Sequence, residues 1–405
     1  MNKWELVPYT NGTVLQTLEE ELLFPHFQRS VEGELDALVG EGDESHIKKG
    51  GFWCRGEEIL QRQEGGEFKP VEGPPQGKTC VVVRLGAWGD LMMMTSILPQ
   101  LKAQGYHITL HCSPRGYPVV KYDTRIDKFV IQGVDQVPPT QLTEYFQWLE
   151  GRCDHFINLC ESIEGSLLAM PGRPVSFWRK EARHALCNLN YVELTHQIAG
   201  VPYVRPNTEF ISTREERDDC RKFLATHGGS PNILWALSGS AVHKTYPRLD
   251  SIIARILLTW PTTRIFTVGD EVCELLEAPW VNEPRVVRMS GQVEIRPTLV
   301  LAQACDLVIG PETGIMSAVS MMEMGKVVLL SHSTKENLTR DWRNTQAVWS
   351  KKTECYPCHM MIFGWDQCRQ GAETGAAQCQ EDISPDQVWM AVQKGLGKFN
   401  MRKAA

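Results

Sequence analysis

The stretch TCVVVRLGAWGDLMMMTSILPQLKAQG (79–105) decides the fold class of this 405-residue chain. Its first six residues form a β-branched, apolar run of the kind buried on both faces of a parallel sheet. They pass without a break into a glycine-rich turn, Leu85-Gly86-Ala87-Trp88-Gly89-Asp90, and then into a helical pattern closed by Gly105. Glycine there suits a left-handed C-cap. Strand, turn and helix in that order make the opening βα unit of a Rossmann-like domain. A dinucleotide fingerprint would read G-x-G-x-x-G at this turn. Here the glycine spacing differs, and the carboxylate of Asp90 stands at the helix N-terminus where a pyrophosphate would sit. An anion in that position repels phosphate, so cofactor binding at this turn is disfavoured. Asp90 suits a general base instead, because the helix start favours its ionised form and ligands gather at the carboxyl ends of parallel strands. Aspartate also caps helices very often, so residue type alone leaves both roles open.

Outward from this unit the same rhythm repeats. HITLHC (107–112), DKFVIQ (127–132) and DHFINLC (154–160) read as further strands separated by helical or loop stretches. A second series begins near Pro231, with strands NILWAL (232–237), RIFTV (264–268), DLVIG (306–310) and KVVLLS (326–331) and helices near 248–259 and 315–324. The tail opens a terminal amphipathic helix at Ser384-Pro385-Asp386-Gln387, an N-cap, a helix-start proline and a capping-box glutamine. This alternation predicts an α/β protein of the GT-B plan, two Rossmann-like domains facing across a cleft. The expected boundaries are 79–215 and 216–383, with a C-terminal helix and tail at 384–405. Residues 1–78 read as an extra N-terminal extension with its own small structure. A helical stretch is expected around Leu15–Val39, and a hairpin in EEILQRQEGGEFKPVEGPP (57–75) turning at Gly65-Gly66.

Composition narrows the function classes. No apolar run approaches the roughly 18 residues of a membrane span, and MNKWELVPYTNG lacks a signal-peptide core, so a cytoplasmic protein is expected. A formal charge of −7 disfavours a general nucleic-acid binder, which would want a basic surface. Most of the 13 cysteines stand singly in apolar runs and read as small buried hydrophobes. Cys355, Cys358, Cys368 and Cys379 are clustered instead. In a reducing compartment that spacing favours a structural zinc or iron on four thiolates over disulfides, with free, partly buried thiols as the alternative.

Several motifs together resemble glycosyltransferase family 9, the ADP-heptose:lipopolysaccharide heptosyltransferases. They are RLGAWGDLMMMTSILPQLKAQG (84–105), YDTRIDKFV (122–130), NYVELTHQIAG (190–200), SGSAVHKTYP (238–247) and MSGQVEIRPTLVLAQACDLVIGPETGIMSAVSMMEMG (289–325), followed by CYPC (355–358). The resemblance covers roughly 79–395 and excludes the extension. It implies an inverting transferase without an organic cofactor, in which Asp90 deprotonates an acceptor hydroxyl and a nucleoside diphosphate departs. Lys244 matches the family's donor-loop lysine, and Ser238, Gly239 and Ser240 would offer further donors to the diphosphate. Thr313 and Gly314 match a phosphate-binding helix start, and Glu312 stands for an aspartate that accepts sugar or ribose hydroxyls. Ser317 and Tyr246 replace the family's usual histidine and tryptophan. His243, beside Lys244, could touch the donor. One branch of the family carries an iron-binding cysteine finger similar to this cluster. The partners so implied are an ADP-heptose-like donor and a glycan acceptor such as lipopolysaccharide core, with peripheral membrane contact. Transfer to a protein or a modified nucleobase is the alternative, as is a catalytically silent sugar-nucleotide-binding protein.

Overall fold

A computed structural model describes residues 77–131, 142–160, 162–170, 174–204, 207–365 and 367–397, with the backbone of four strands at 4–9, 12–17, 59–62 and 68–71. Packing divides the chain into two compact units. The first is Met1–Cys160 with Thr195–Pro202, and the second is Glu161–Leu194 with Tyr203–Ala405. The chain therefore changes from one unit to the other three times, after Cys160, after Leu194 and after Pro202.

In the first unit, strands β5 (Lys78–Arg84), β6 (Tyr106–Cys112), β7 (Lys128–Ile131) and β8 (His155–Asn158) pair in parallel in the order β7-β6-β5-β8. Successive units lay β6 and β7 to one side of β5, and β8 returns to the other. That reversal leaves a crevice at the carboxyl ends of β5 and β8, where open α/β sheets bind ligands. Helix α1 (Trp88–Met94) follows β5 and buries Leu91 and the three methionines Met92, Met93 and Met94 as core. Gly105 takes φ +83° at the end of this helical stretch, the left-handed turn expected of it.

The extension departs from expectation. Strands β3 (Ile59–Arg62) and β4 (Phe68–Val71) do form an antiparallel pair, but β3 also pairs antiparallel with β7, Leu60 opposite Phe129. The hairpin thus continues the sheet of the first unit and covers an edge that would otherwise expose unpaired backbone. Its turn at Gly65-Gly66 lies outside the described residues. The helix expected from Leu15 is corrected at its start, because Gly12–Thr17 (β2) pairs antiparallel with Trp4–Tyr9 (β1). Two short β-prone runs close in sequence, paired from Tyr9 opposite Gly12 outward, outweigh helical periodicity there. The rest of Leu15–Val39 lies outside the described residues.

The second unit contains strands β9 (Asn232–Ala236), β10 (Arg264–Val268), β11 (Val286–Arg288), β12 (Leu307–Pro311), β13 (Gly325–Leu329) and β14 (Thr345–Val348). They form a fully parallel sheet in the order β11-β10-β9-β12-β13-β14. In sequence order this is 3-2-1-4-5-6, the doubly wound Rossmann arrangement, with its switch point between β9 and β12. Trp235, Ile265, Leu307, Ile309, Val327 and Leu329 fill one continuous core from β9, β10, β12 and β13. The helix Leu249–Thr259 (α2) and the C-terminal helix Pro385–Gly395 (α3) cover that face through Ile252, Ile256, Val388 and Val392. Ser384 caps α3 as its sequence predicts, accepting from the Gln387 N–H. The helix is an integral layer of this unit, since a Cβ on Gly325 would meet the Gly395 carbonyl oxygen at 2.2 Å. No helix among the described residues is long and apolar enough to cross a membrane.

Candidate active site

Both candidate centres lie at the sheet switch points. In the first unit, Arg84 ends β5 and is almost wholly buried. Its guanidinium bridges the Leu159 carbonyl just beyond β8 (2.9 Å) and Asp90 Oδ1 (2.7 Å). Asp90 Oδ2 accepts the Ala87 N–H at 2.7 Å, the bond that opens α1. Gly86 is required for this packing, because a Cβ there would stand 2.5 Å from Asp90 Oδ2. Trp88 is held by its indole N–H donating to the Arg115 carbonyl at 2.7 Å, with the Arg115 guanidinium over its ring. Asp90 is thus a capping residue and something more. Two hydrogen bonds occupy about half of a carboxylate's acceptor capacity, and its side chain keeps 20% exposure. The remaining lone pairs can receive a proton from a substrate hydroxyl. Sequence reasoning left Arg84 without a role, although it stands in the same motif six residues before Asp90.

In the second unit, the loop after β9 and the chain after β12 bring most of the expected donor residues together. Lys244 closes a short turn, Val242–Lys244, and its ammonium donates to the Glu312 main-chain carbonyl at 2.9 Å. Gly239 lies against both segments, since a Cβ on it would meet Lys244 Cδ at 2.7 Å and Thr313 Cγ2 at 3.2 Å. Thr313 is the N-cap of the helix Gly314–Val319, and its hydroxyl is buried without a hydrogen bond among the described residues. Ser238 shares a hydrogen bond of 2.8 Å with Thr245, and Ser240 is exposed. Lys244 is itself buried, in contrast to an ordinary surface lysine.

Glu312 is placed differently from its expected role. Its carboxylate points into the protein and accepts from the turn Ser331-His332-Ser333 that follows β13. Burial alone would raise its pKa. The adjoining His332, the Lys244 ammonium and the Ser331 hydroxyl outweigh that and hold the carboxyl well below the usual range. His243 also turns inward. Its Nδ1 lies 2.8 Å from Ser331 Oγ, its Nε2 accepts the Ile362 N–H at 3.2 Å, and burial pushes its pKa down to about 3. Neutral imidazole therefore braces the loop from behind. Tyr246 is likewise core, its hydroxyl donating to the Ile383 carbonyl.

The four clustered cysteines share one neighbourhood. Burial first, and then Cys358, Cys368 and Cys355, push the Cys379 thiol well above its ordinary value. Cys358 rises to about 12 by burial, with Cys355 and Cys368 adding to it. The donor set suits a soft metal, but among the described residues no three His, Cys, Asp or Glu side chains converge on a coordination point. The same segment is tied to the second candidate centre: the Tyr356 hydroxyl donates to the Ser333 carbonyl, and the His359 N–H to the His332 carbonyl.

No family model and no curated protein matches the chain. Solved structures do match it. Heptosyltransferase II of E. coli, which acts on lipopolysaccharide, superposes with a TM-score of 0.56 at 15% identity, covering 80% of this chain and 100% of that one. A family 9 glycosyltransferase from Veillonella parvula gives 0.57 at 16%, covering 79% and 97%. TibC, an iron-containing dodecameric glycosyltransferase from enterotoxigenic E. coli, gives 0.53 at 11%, covering 86% and 90%. At these identities the likeness is one of fold. It places the chain in the GT-B class of two Rossmann-like units in succession.

Proposed function

We propose that this chain is an inverting glycosyltransferase that moves a sugar from a nucleoside diphosphate donor to an acceptor hydroxyl. The observation that carries the proposal is the occupation of the switch points. One holds a fixed carboxylate with acceptor capacity to spare, and the other holds a buried ammonium beside the helix start at Thr313 and Gly314. In the reaction, the acceptor hydroxyl gives its proton to Asp90 as its oxygen attacks the anomeric carbon. The bond between sugar and phosphate breaks, and its electron pair leaves on the diphosphate. One displacement inverts the anomeric centre. Negative charge grows on the leaving phosphates, and Lys244 compensates it within a largely desolvated setting.

The fold neighbours favour ADP-heptose as donor, since TibC is also solved with ADP-D-β-D-heptose. A lipopolysaccharide-core glycan in the cytoplasm, met at the membrane periphery, is the acceptor consistent with the family resemblance. Nucleoside diphosphates and their sugars should therefore raise the melting temperature, and at a hundredfold excess over Kd the gain is about 2.7 kcal/mol. A thermal-shift series over ADP, UDP, GDP and ADP-heptose makes the test. No stabilisation by any diphosphate would remove the donor site and the proposal with it.

The proposal extends to a structural zinc or iron on Cys355, Cys358, Cys368 and Cys379. The soft donor set, the shared neighbourhood of the thiols and the iron named in TibC support it. Elemental analysis of protein purified without chelators should find about one zinc or iron per chain. Neither metal, together with four freely titratable thiols in this cluster, would dismiss it.

A further inference from the structure

The expected role of Glu312 was to accept hydroxyl hydrogen bonds from the donor, and the geometry leaves it no capacity to do so. Oε1 accepts from the backbone N–H groups of Ser331 (2.9 Å) and Ser333 (3.2 Å) and from the Ser333 hydroxyl (2.5 Å). Oε2 accepts from the Ser331 hydroxyl (2.6 Å) and lies 3.1 Å from His332 Nδ1. A carboxylate offers roughly four acceptor sites, and these contacts fill them. Glu312 is also only 7% exposed.

Two routes lead from this carboxylate to Lys244. The shorter runs through the residue's own main chain, whose carbonyl receives the Lys244 ammonium at 2.9 Å. The second runs through side chains. His243 Nε2 accepts the Ile362 N–H, so Nδ1 carries the proton and donates to Ser331 Oγ at 2.8 Å. The Ser331 hydroxyl then donates to Glu312 Oε2, and His243 directly precedes Lys244 in the chain. Gly239 packs over the lysine stem with no room for a Cβ, so the ammonium has little freedom to find another position.

We propose that Glu312 is a positioning residue for Lys244 and not a ligand of the donor. Its carboxylate locks the turn 331–333, and the locked turn fixes both the carbonyl and the histidine that aim the ammonium at the diphosphate. This rests on the reading of Lys244 as the diphosphate-binding cation.

The test is a double-mutant cycle read by calorimetric titration, with ADP and inorganic pyrophosphate as probes. Wild type should bind both. Glu312→Gln keeps the shape and removes the charge, and it should weaken both probes about tenfold. Lys244→Ala should weaken them at least as much. The double variant should bind no worse than Lys244→Ala alone, because Glu312 acts only through the lysine. Additive losses would show an independent role and overturn the proposal, as would unchanged pyrophosphate affinity in folded Glu312→Gln. Should Glu312→Gln fail to fold, Ser331→Ala breaks the side-chain route alone. It should weaken both probes a few-fold in wild type and not at all in the Lys244→Ala background. Wild type binding neither probe would instead refute the donor-site reading itself.

Discussion

Asp90→Asn is expected to abolish sugar transfer while leaving nucleoside diphosphate affinity within a few-fold of wild type. Loss of a general base typically costs 100- to 10,000-fold, roughly, in rate. The residues that would hold the diphosphate belong to the second unit and Asp90 to the first, so donor affinity and turnover should separate cleanly. The substitution also has a structural consequence that must be measured alongside. Asparagine can still accept the Ala87 N–H, but it removes the carboxylate charge that pairs with the buried Arg84 guanidinium. Breaking a buried pair costs on the order of 3 kcal/mol, and Arg84 keeps the Leu159 carbonyl to soften that. Transfer is therefore measured well below the variant's melting transition, against any acceptor that wild type uses. Near-normal turnover in folded Asp90→Asn would leave Asp90 as a helix cap and ion-pair partner only.

Lys244→Ala should weaken nucleoside diphosphate binding by about 10- to 100-fold, the worth of one charge-assisted hydrogen bond to phosphate. It should slow transfer further, because charge grows on the phosphates only as the glycosyl bond breaks. A lysine facing open solvent would be removed without structural cost. This one is buried, and its truncation strands the Glu312 carbonyl and opens space beside Gly239. A stability loss of about 1–3 kcal/mol is therefore expected. Calorimetry with ADP, together with a melting curve, separates the two effects. Unchanged ADP affinity would place the diphosphate elsewhere in the chain.

Much of the fold was legible because parallel strands buried on both faces have to be written as apolar runs. VVVR before Gly86, ILWA after Asn232 and VVLL after Lys326 are of this kind, and each proved a strand. Caps were legible for a similar reason, since an N-cap is local: Ser384 and Gln387 satisfy each other's backbone within four residues. The extension differs from expectation where two local signals compete, helical spacing from Leu15 and the β-prone runs Trp4–Tyr9 and Gly12–Thr17. That β3 would join the first sheet could not be read at all. Its partner β7 lies more than 60 residues away, and strand pairing at that distance leaves no local pattern.

The sequence by itself determined two Rossmann-like series, the absence of a dinucleotide turn at Gly86, and the identity of the groups around each centre. Asp90, Lys244, Glu312 and Thr313 were all singled out by residue type and motif. Only the tertiary structure decided which way their polar atoms point. A carboxylate at a strand end can serve a substrate or serve the protein, and the outcome depends on how many donors surround it. Asp90 meets two and keeps lone pairs for a substrate. Glu312 meets Ser331, His332 and Ser333 and is used up. Those donors follow a different strand, nineteen to twenty-one residues along the chain, and only the pairing of β12 with β13 brings them to it.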